Sequence, residues 1–451
     1  MNLPCTPPRE EAVDARSLHA ALLHAPEEHL AAADAFLQRQ LQRAAERPVD
    51  LPDTPAAWPQ WLDARAARTA RDYARYLAER HAGAPRRYFR NRAHALHFLR
   101  GVAPTKLVDG AWLYGVLAHA GDARLLPLVH TYLEELGRGV AGCNHVLIYR
   151  HLLESLGCAG TSDLSVEHYL QGTVQLALGC LAGQRLPELI GYNLGYELPP
   201  LHLLVTTWEL QELGIDPTYF RLHVTIDNAS CGHARRALQT LFNHLPDKPR
   251  RAAFLARVRA GMGLNDVGLS STQVIDGFDL DHELLAMLER KQPFARHQHS
   301  DRARIQGRTL NQWLAQPWGV AALLRALQQE GWILRDADPA RSRFWRLVSG
   351  PDAAMFGVFD GYEQQLLHDW IAGSWAPSPA PARHAPPRPL ALEPAPADLD
   401  EEERRLRREL AQLVPHQRRQ HLLPLLAPQR HWTPLGLLAT RLFSQDLGVA
   451  P

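Results

Sequence analysis

The chain predicts an all-α body, and three observations carry that prediction. Many segments are rich in Ala, Leu, Arg, Glu and Gln, with apolar residues recurring at three- and four-residue intervals, the period of an amphipathic helix. Alternating runs of Val, Ile, Thr and aromatic residues are nearly absent before about residue 300. Turns containing Gly, Pro and Asp separate one helical stretch from the next.

Taken in order, 27–46 (EEHLAAADAFLQRQLQRAAE) and 60–81 (QWLDARAARTARDYARYLAERH) are amphipathic helices of an N-terminal helical extension over 1–84. The same texture runs through 92–102, 110–119, 123–136, 144–156, 165–182, 200–213, 217–244 and 249–261, within a body spanning 85–300. Residues 309–348 change character and read as helix, short strand, turn, short strand, giving a small C-terminal α+β appendage over 301–375. Its outline is that of a winged element, but 318–330 carries only Arg325 as a positive charge, so DNA binding is not expected there.

From Pro377 to Pro396 the run PSPAPARHAPPRPLALEPAP has too little apolar surface to fold alone and predicts a semi-rigid linker, within 376–400. The helical tail over 401–451 follows. In DLDEEERRLRRELAQLV an acidic first turn runs into arginines, which suits the helix dipole. Beyond it, Trp432, Leu435, Leu437, Leu438, Leu442 and Phe443 form an apolar set fit to dock on the body or on a partner.

Composition excludes several function classes. Lys+Arg is 49 against Asp+Glu 48, a formal charge of +1, so no global field draws a nucleic acid or an anionic membrane. No stretch approaches the roughly 18–20 apolar residues of a membrane span. The start, MNLPCTPPREEAVDAR, lacks the basic opening and apolar run of a signal peptide, so a cytoplasmic location is expected. Cys5, Cys143, Cys158, Cys180 and Cys231 are scattered and never spaced as CxxC, which encodes neither a disulfide framework nor a structural zinc site. The 23 histidines direct attention to clusters of His with Asp and Glu.

Three clusters stand out. In YFRLHVTIDNASCGHA (219–234), His223 and Asp227 are four apart and project from one helix face about 40° from each other. His233 needs a bend to join them, and Asn228, Ser230 and Gly232 permit one. Imidazole with carboxylate suits iron, manganese or zinc, although a lone His–x3–Asp is more often a surface pair. In LEELGRGVAGCNHVLIYRHLLESLG (133–157), Glu135 and His145 can converge across a glycine-rich turn, with Glu134 as a rival to Glu135, although Asn144 as a plain helix cap with solvated glutamates explains the segment as well. In LPELIGYNLGYELPP (186–200), Glu188 and Glu197 sit among apolar residues, where each carboxylate needs a partner, an arginine serving as well as a metal.

These three motifs, in this order, resemble the haem-oxygenase-like diiron oxidases, the iron-containing redox enzymes of the haem-oxygenase-like fold. The resemblance covers roughly 85–245, with RRYFRNRAHALHFLRGVAPTKLVDGAWLYG (86–115) similar to the family's entry segment and MFGVFDGYEQQLLHDWI (355–371) similar to a helix at the end of longer members. It implies a helical bundle that binds no haem and holds two non-haem iron ions. It also implies the ligands, position by position: Glu135 and His145, then Glu197, then His223, Asp227 and His233. Family members commonly space the last Asp and His by three, where Ser230 stands in this chain.

The resemblance further implies an oxidase or oxygenase that uses O2 to oxidise a small organic substrate, with an external electron donor and a homodimer as further expectations. The fold hosts N-oxygenation, desaturation, C–C cleavage and hydroxylation, and sequence does not choose among them. Lys106, Asp109, Arg150 and Tyr192 are candidates for roles behind the ligands or in orienting substrate. Two alternatives stand beside this reading: a metal-free, thiaminase-like enzyme using Cys231, and a helical interaction protein whose metal site has decayed, with the linker and tail as its binding element.

Overall fold

The computed structural model describes residues 14–198, 201–226, 232–295, 299, 302, 304–376 and 397–448. Apart from one two-stranded ribbon, its regular elements are helices, as the sequence predicts. The N-terminal extension supplies α1 (Ala15–His24), α2 (Leu30–Ala45) and α3 (Trp58–His81). Asp14 starts α1 by accepting the Ser17 amide at 2.9 Å, which satisfies one of the N–H groups that a helix end leaves unpaired.

The body follows with α4 (Arg92–Lys106), a 3-10 run over Ala111–His119, α5 (Leu126–Glu135), α6 (His145–Ser155), α7 (Leu170–Cys180) and α8 (Leu186–Tyr196). It continues with α9 (Leu201–Glu212), α10 (Thr218–Ile226), α11 (His233–His244) and α12 (Lys248–Gly263). The stretch expected as one helix over 217–244 is thus divided: α10 is described to Ile226, and α11 begins at His233 with Gly232 as its extended N-cap. Helix α8 lies flush on α12, because a Cβ at Gly191 would stand 1.8 Å from the Val258 carbonyl oxygen. That contact sets the height of α8, and with it the position of Glu197 at its C-terminus.

Next come α13 (Ser271–Asp276), α14 (Leu280–Ala295), the strands β1 (Arg304–Ile305) and β2 (Arg308–Thr309), then α15 (Leu310–Leu314), α16 (Gly319–Gln329), α17 (Arg343–Val348) and α18 (Gly361–Ala372). This corrects the order expected for 309–348: the strands precede the helices. Gln306 and Gly307 both take positive φ, 47° and 74°, closing the antiparallel pair in a two-residue turn. The segment expected to end in a short strand ends instead in α17. Helix α18 packs on α4 and α14, and its Asp369 accepts the Ala93 amide at 2.7 Å, near the start of α4.

The tail contributes α19 (Ala397–Ala411), α20 (Pro415–Leu422) and α21 (Pro434–Asp446). It docks on the body through Leu422, Leu426, Leu438 and Phe443, each at most 4% exposed. Each such side chain contributes about 1.5–3 kcal/mol relative to exposure. No helix among the described residues is long and apolar enough to cross a membrane.

Two apolar cores result. One gathers the N-terminal helices, the 3-10 run, α5, α7, α8, α11, α12 and the tail. The other gathers α4, α6, α9, α10, α13, α14 and the segment through α18. The first supplies the elements bearing Asp109, Glu135, Glu197 and His233, and the second supplies His145 and His223. These residues meet at the seam.

Candidate metal centre

Glu135 is the last residue of α5 and His145 the first of α6. Between them the chain turns tightly, and Asn144 caps α6 by accepting the Leu147 amide at 3.0 Å. The result brings His145 Nδ1 to 2.5 Å from Glu135 Oε2. Asp109 reaches the same point from the segment after α4. Its neighbour Gly110 takes φ of 79°, and a Cβ there would lie 2.9 Å from that of Glu135, so only glycine lets the two segments approach this closely.

His223 arrives from α10. Its Nδ1 lies 2.9 Å from the Tyr219 carbonyl oxygen, one turn back on the same helix, and its Nε2 lies 3.0 Å from Asp109 Oδ2. A ring that donates Nδ1–H to a carbonyl presents a bare Nε2 in its neutral form. A bare nitrogen facing a carboxylate oxygen at this distance needs a cation, proton or metal, between them. One ligating atom from each of Asp109, Glu135, His145 and His223 falls within 4.8 Å of the others, and all four residues are buried.

A second group shares Glu135. His233 Nδ1 lies 3.2 Å from Glu135 Oε1 and 3.4 Å from Glu197 Oε2, and the three residues again bring ligating atoms within 4.8 Å. The two oxygens of Glu135 therefore face different groups, which is how a bridging carboxylate stands. His233 Nε2 lies 3.0 Å from Glu134 Oε2, and Glu134 in turn accepts from Arg236 at 2.6 and 2.9 Å and from Arg138 at 2.7 Å. A carboxylate behind an imidazole fixes its orientation and raises its basicity.

The donor set fits a metal by two further observations. Glu135 Oε2, both ring nitrogens of His145, and Glu197 Oε1 are buried without a hydrogen-bond partner, a costly state unless a cation takes their lone pairs. The electrostatics agree. Burial alone would raise the Glu135 carboxyl, but the positive charge of His145 outweighs it and holds the group at about 2. Burial would depress His145, but the charge of Glu135 beside it lifts the imidazolium to about 10. Asp109 lies well below its ordinary value: burial opposes ionisation, and the charge of Lys106 with the contacts to His145 and His223 overrides it. The carboxylates stay anionic at neutral pH and hold positive charge among themselves, and a metal ion can take the place of those protons.

The structure sorts the remaining sequence candidates. Asp109, expected behind the ligands, stands among them. Lys106 donates to the Tyr196 hydroxyl at 2.9 Å, which donates to Asp109 Oδ1 at 3.1 Å, while Tyr219 donates to Asp109 Oδ2 at 2.5 Å. Tyr192 points elsewhere: its hydroxyl donates to Gln171 at 3.1 Å and its ring packs on Trp112 and Tyr196. Arg150 lies 4.0 Å over the ring of Trp432 in the tail. Glu188 is bound by Arg257 at 2.6 and 2.7 Å, the arginine alternative foreseen for it, and Glu134 serves His233 from behind. Asp227, Ser230 and Cys231 lie outside the described residues.

Sequence reading missed Tyr219 and Tyr196 as partners of Asp109. The four-residue spacing of Tyr219 and His223 on one helix face was the available signal. An apolar cavity of about 730 Å³ lies in the C-terminal part, among residues such as Leu288, Leu324, Phe344 and Met355, and none of the candidate ligands lines it.

A family model described as an iron-containing redox enzyme matches residues 96–266, the segment that carries both ligand groups. This segment is thus similar to the family that the three motifs resemble. No curated protein and no solved structure matches the chain.

Proposed function

We propose that the chain is a non-haem diiron oxidase or oxygenase that uses O2 to oxidise a small organic substrate, drawing on an external electron donor. The single observation that supports this most is Glu135, whose two oxygens face two separate groups of buried ligands. One iron would be held by Asp109, Glu135, His145 and His223, the other by Glu135, Glu197 and His233, with Asp227 as the sequence candidate for an added ligand. Iron bound there supplies redox equivalents and open coordination positions for O2.

The protein's own groups set the conditions for that chemistry. Tyr219 and Tyr196 donate to the two oxygens of Asp109, so its remaining lone pairs have fixed directions. The Lys106 ammonium stands two hydrogen bonds behind Asp109, through the Tyr196 hydroxyl. Burial of Asp109, Glu135, His145, Glu197, His223 and His233 excludes water from the reacting region and strengthens each electrostatic contact.

The test is metal analysis of anaerobically purified protein loaded with ferrous iron, beside the His223→Ala and Glu197→Ala variants, with Mössbauer spectra before and after brief exposure to O2. About two irons per chain, reduced in the variants and oxidised together, is the expected result. Variants that match the parent would remove this reading.

A further inference from the structure

The C-terminal tail lies outside the segment matched by the family, yet it is packed against the turn that joins Glu135 to His145. Helix α21 lies against Gly137–Gly139. At Gly139, where φ is 82°, a Cβ would meet the Leu437 carbonyl oxygen and the Arg441 Cγ, each at 2.4 Å, so the turn's backbone rests directly on the helix. Three polar contacts tie the tail to residues flanking this turn. Tyr132, three residues before Glu135, donates to the Leu426 carbonyl at 2.7 Å. Arg150, on α6, stacks over Trp432. Asn144, which caps α6, places its amide nitrogen 3.2 Å from the Leu136 carbonyl and 3.1 Å from His431 Nδ1.

Asn144 thus has each end of its side chain committed. Its oxygen starts the helix whose first residue is His145, and its nitrogen spans the turn to Leu136 and the tail to His431. His431 is 1% exposed, and burial holds its ring neutral, with a pKa near 3, so its Nδ1 can accept from the amide.

We propose that the tail is a brace for the metal centre, with His431 a positioning residue that acts through Asn144 to hold Glu135 and His145 in register. The inference rests on the metal reading of that site. Rotation of Asn144 away from His431 would release both the cap of α6 and the closure of the turn, and the two ligands would no longer be set at one distance. Ligands held within fractions of an ångström bind a metal far better than the same ligands on a loose turn.

The experiment uses the full chain, with His431→Leu, which removes the acceptor, and His431→Asn, whose amide oxygen sits where the imidazole Nδ1 does. Two readouts are taken: cobalt(II) titration followed by its visible absorption, and hydrogen exchange of the amides over 136–144 in metal-free protein. The leucine variant should bind cobalt at least about tenfold more weakly, with an altered spectrum, and exchange faster over the turn, while the asparagine variant stays close to the parent. Tyr132→Phe, which frees the tail at Leu426 and leaves the aromatic core in place, should speed the same exchange if the leucine variant fails to fold.

Unchanged cobalt binding and exchange in the leucine variant would overturn the brace. Equal losses in both His431 variants would overturn the role of the Nδ1 contact. If the parent itself takes up no cobalt, the metal reading fails, and the exchange of the turn alone decides whether the tail braces it.

Discussion

His145 Nδ1 stands 2.5 Å from Glu135 Oε2, and neither atom is aligned in a hydrogen bond. Two groups that merely paired would turn to share a proton. Groups that converge without that alignment are aimed at a third point, which is how ligands of one cation stand. The predictions below follow from this convergence and from the residues that hold it.

Glu135 faces both ligand groups, whereas Glu197 faces only the second. Glu135→Gln should therefore weaken both metal positions, and Glu197→Gln only one. Loss of an outer partner of a ligand already costs about 10–100-fold in affinity, so loss of the shared carboxylate should cost at least that. Iron per chain after desalting, beside a two-step cobalt titration, separates the cases. Retention of one tight metal by the Glu135 variant would show that the carboxylate does not bridge.

The pH dependence has opposite signs with and without metal. In metal-free protein the His145 imidazolium titrates at about 10 against an ordinary 6.5, so its stabilisation is complete below about 6.5 and is lost as pH rises through 10. Glu135, at about 2 against 4.5, stabilises fully above 4.5 and loses this as pH falls through 2. Both describe the same pair, and they place its full effect between about 4.5 and 6.5. Metal binding must displace the His145 proton, so apparent metal affinity should rise by about tenfold per pH unit between about 6.5 and 9 for that one proton. Melting curves of the metal-free protein and cobalt affinities over this range should run in opposite directions. A flat cobalt affinity would mean that His145 is not a ligand.

Tyr219 donates to the carboxylate oxygen that also faces His223. Tyr219→Phe keeps the ring and removes the donor, so Asp109 becomes free to turn. Cobalt affinity at the first position should fall by about 10–100-fold, with a changed absorption spectrum and a melting temperature close to that of the parent. Lys106→Met, acting one bond further away through Tyr196, should give a smaller loss in the same direction. An unaltered spectrum in both would leave these contacts as packing only.

The legible part of the site was the part encoded within short distances along the chain. Glu135 and His145 are separated by a turn rich in glycine and capped by asparagine, a local pattern with a local cause. His223 sits on a helix whose period is visible, and α11 starts after Gly232, one of the residues that permit a break before His233. Asp109, expected behind the ligands, stands beside His145 and His223 through contacts that no local spacing records. Its one local sign is the glycine beside it, whose reason for being there is the nearness of Glu135. Arg150, expected near the site as a polar residue beside a ligand, lies instead over the ring of Trp432. The strands near 309 were misordered for a related reason: a two-residue turn with two positive φ values carries almost no apolar pattern.

Glu188 gives the control that separates a ligand from a buried carboxylate. It is 3% exposed and gripped by Arg257 through two bonds, and it belongs to neither ligand group. Arg257 is 43% exposed and can turn to solvent when its partner loses its charge, and glutamine retains some of the hydrogen bonding, so Glu188→Gln should destabilise the protein by about 1 kcal/mol. Its iron content and cobalt spectrum should equal those of the parent, because α8 still presents Glu197 at its far end. Thermal melts beside metal analysis make the comparison. A variant that keeps its stability and loses iron would exchange the roles of the two glutamates and move the second metal position to the other end of the helix.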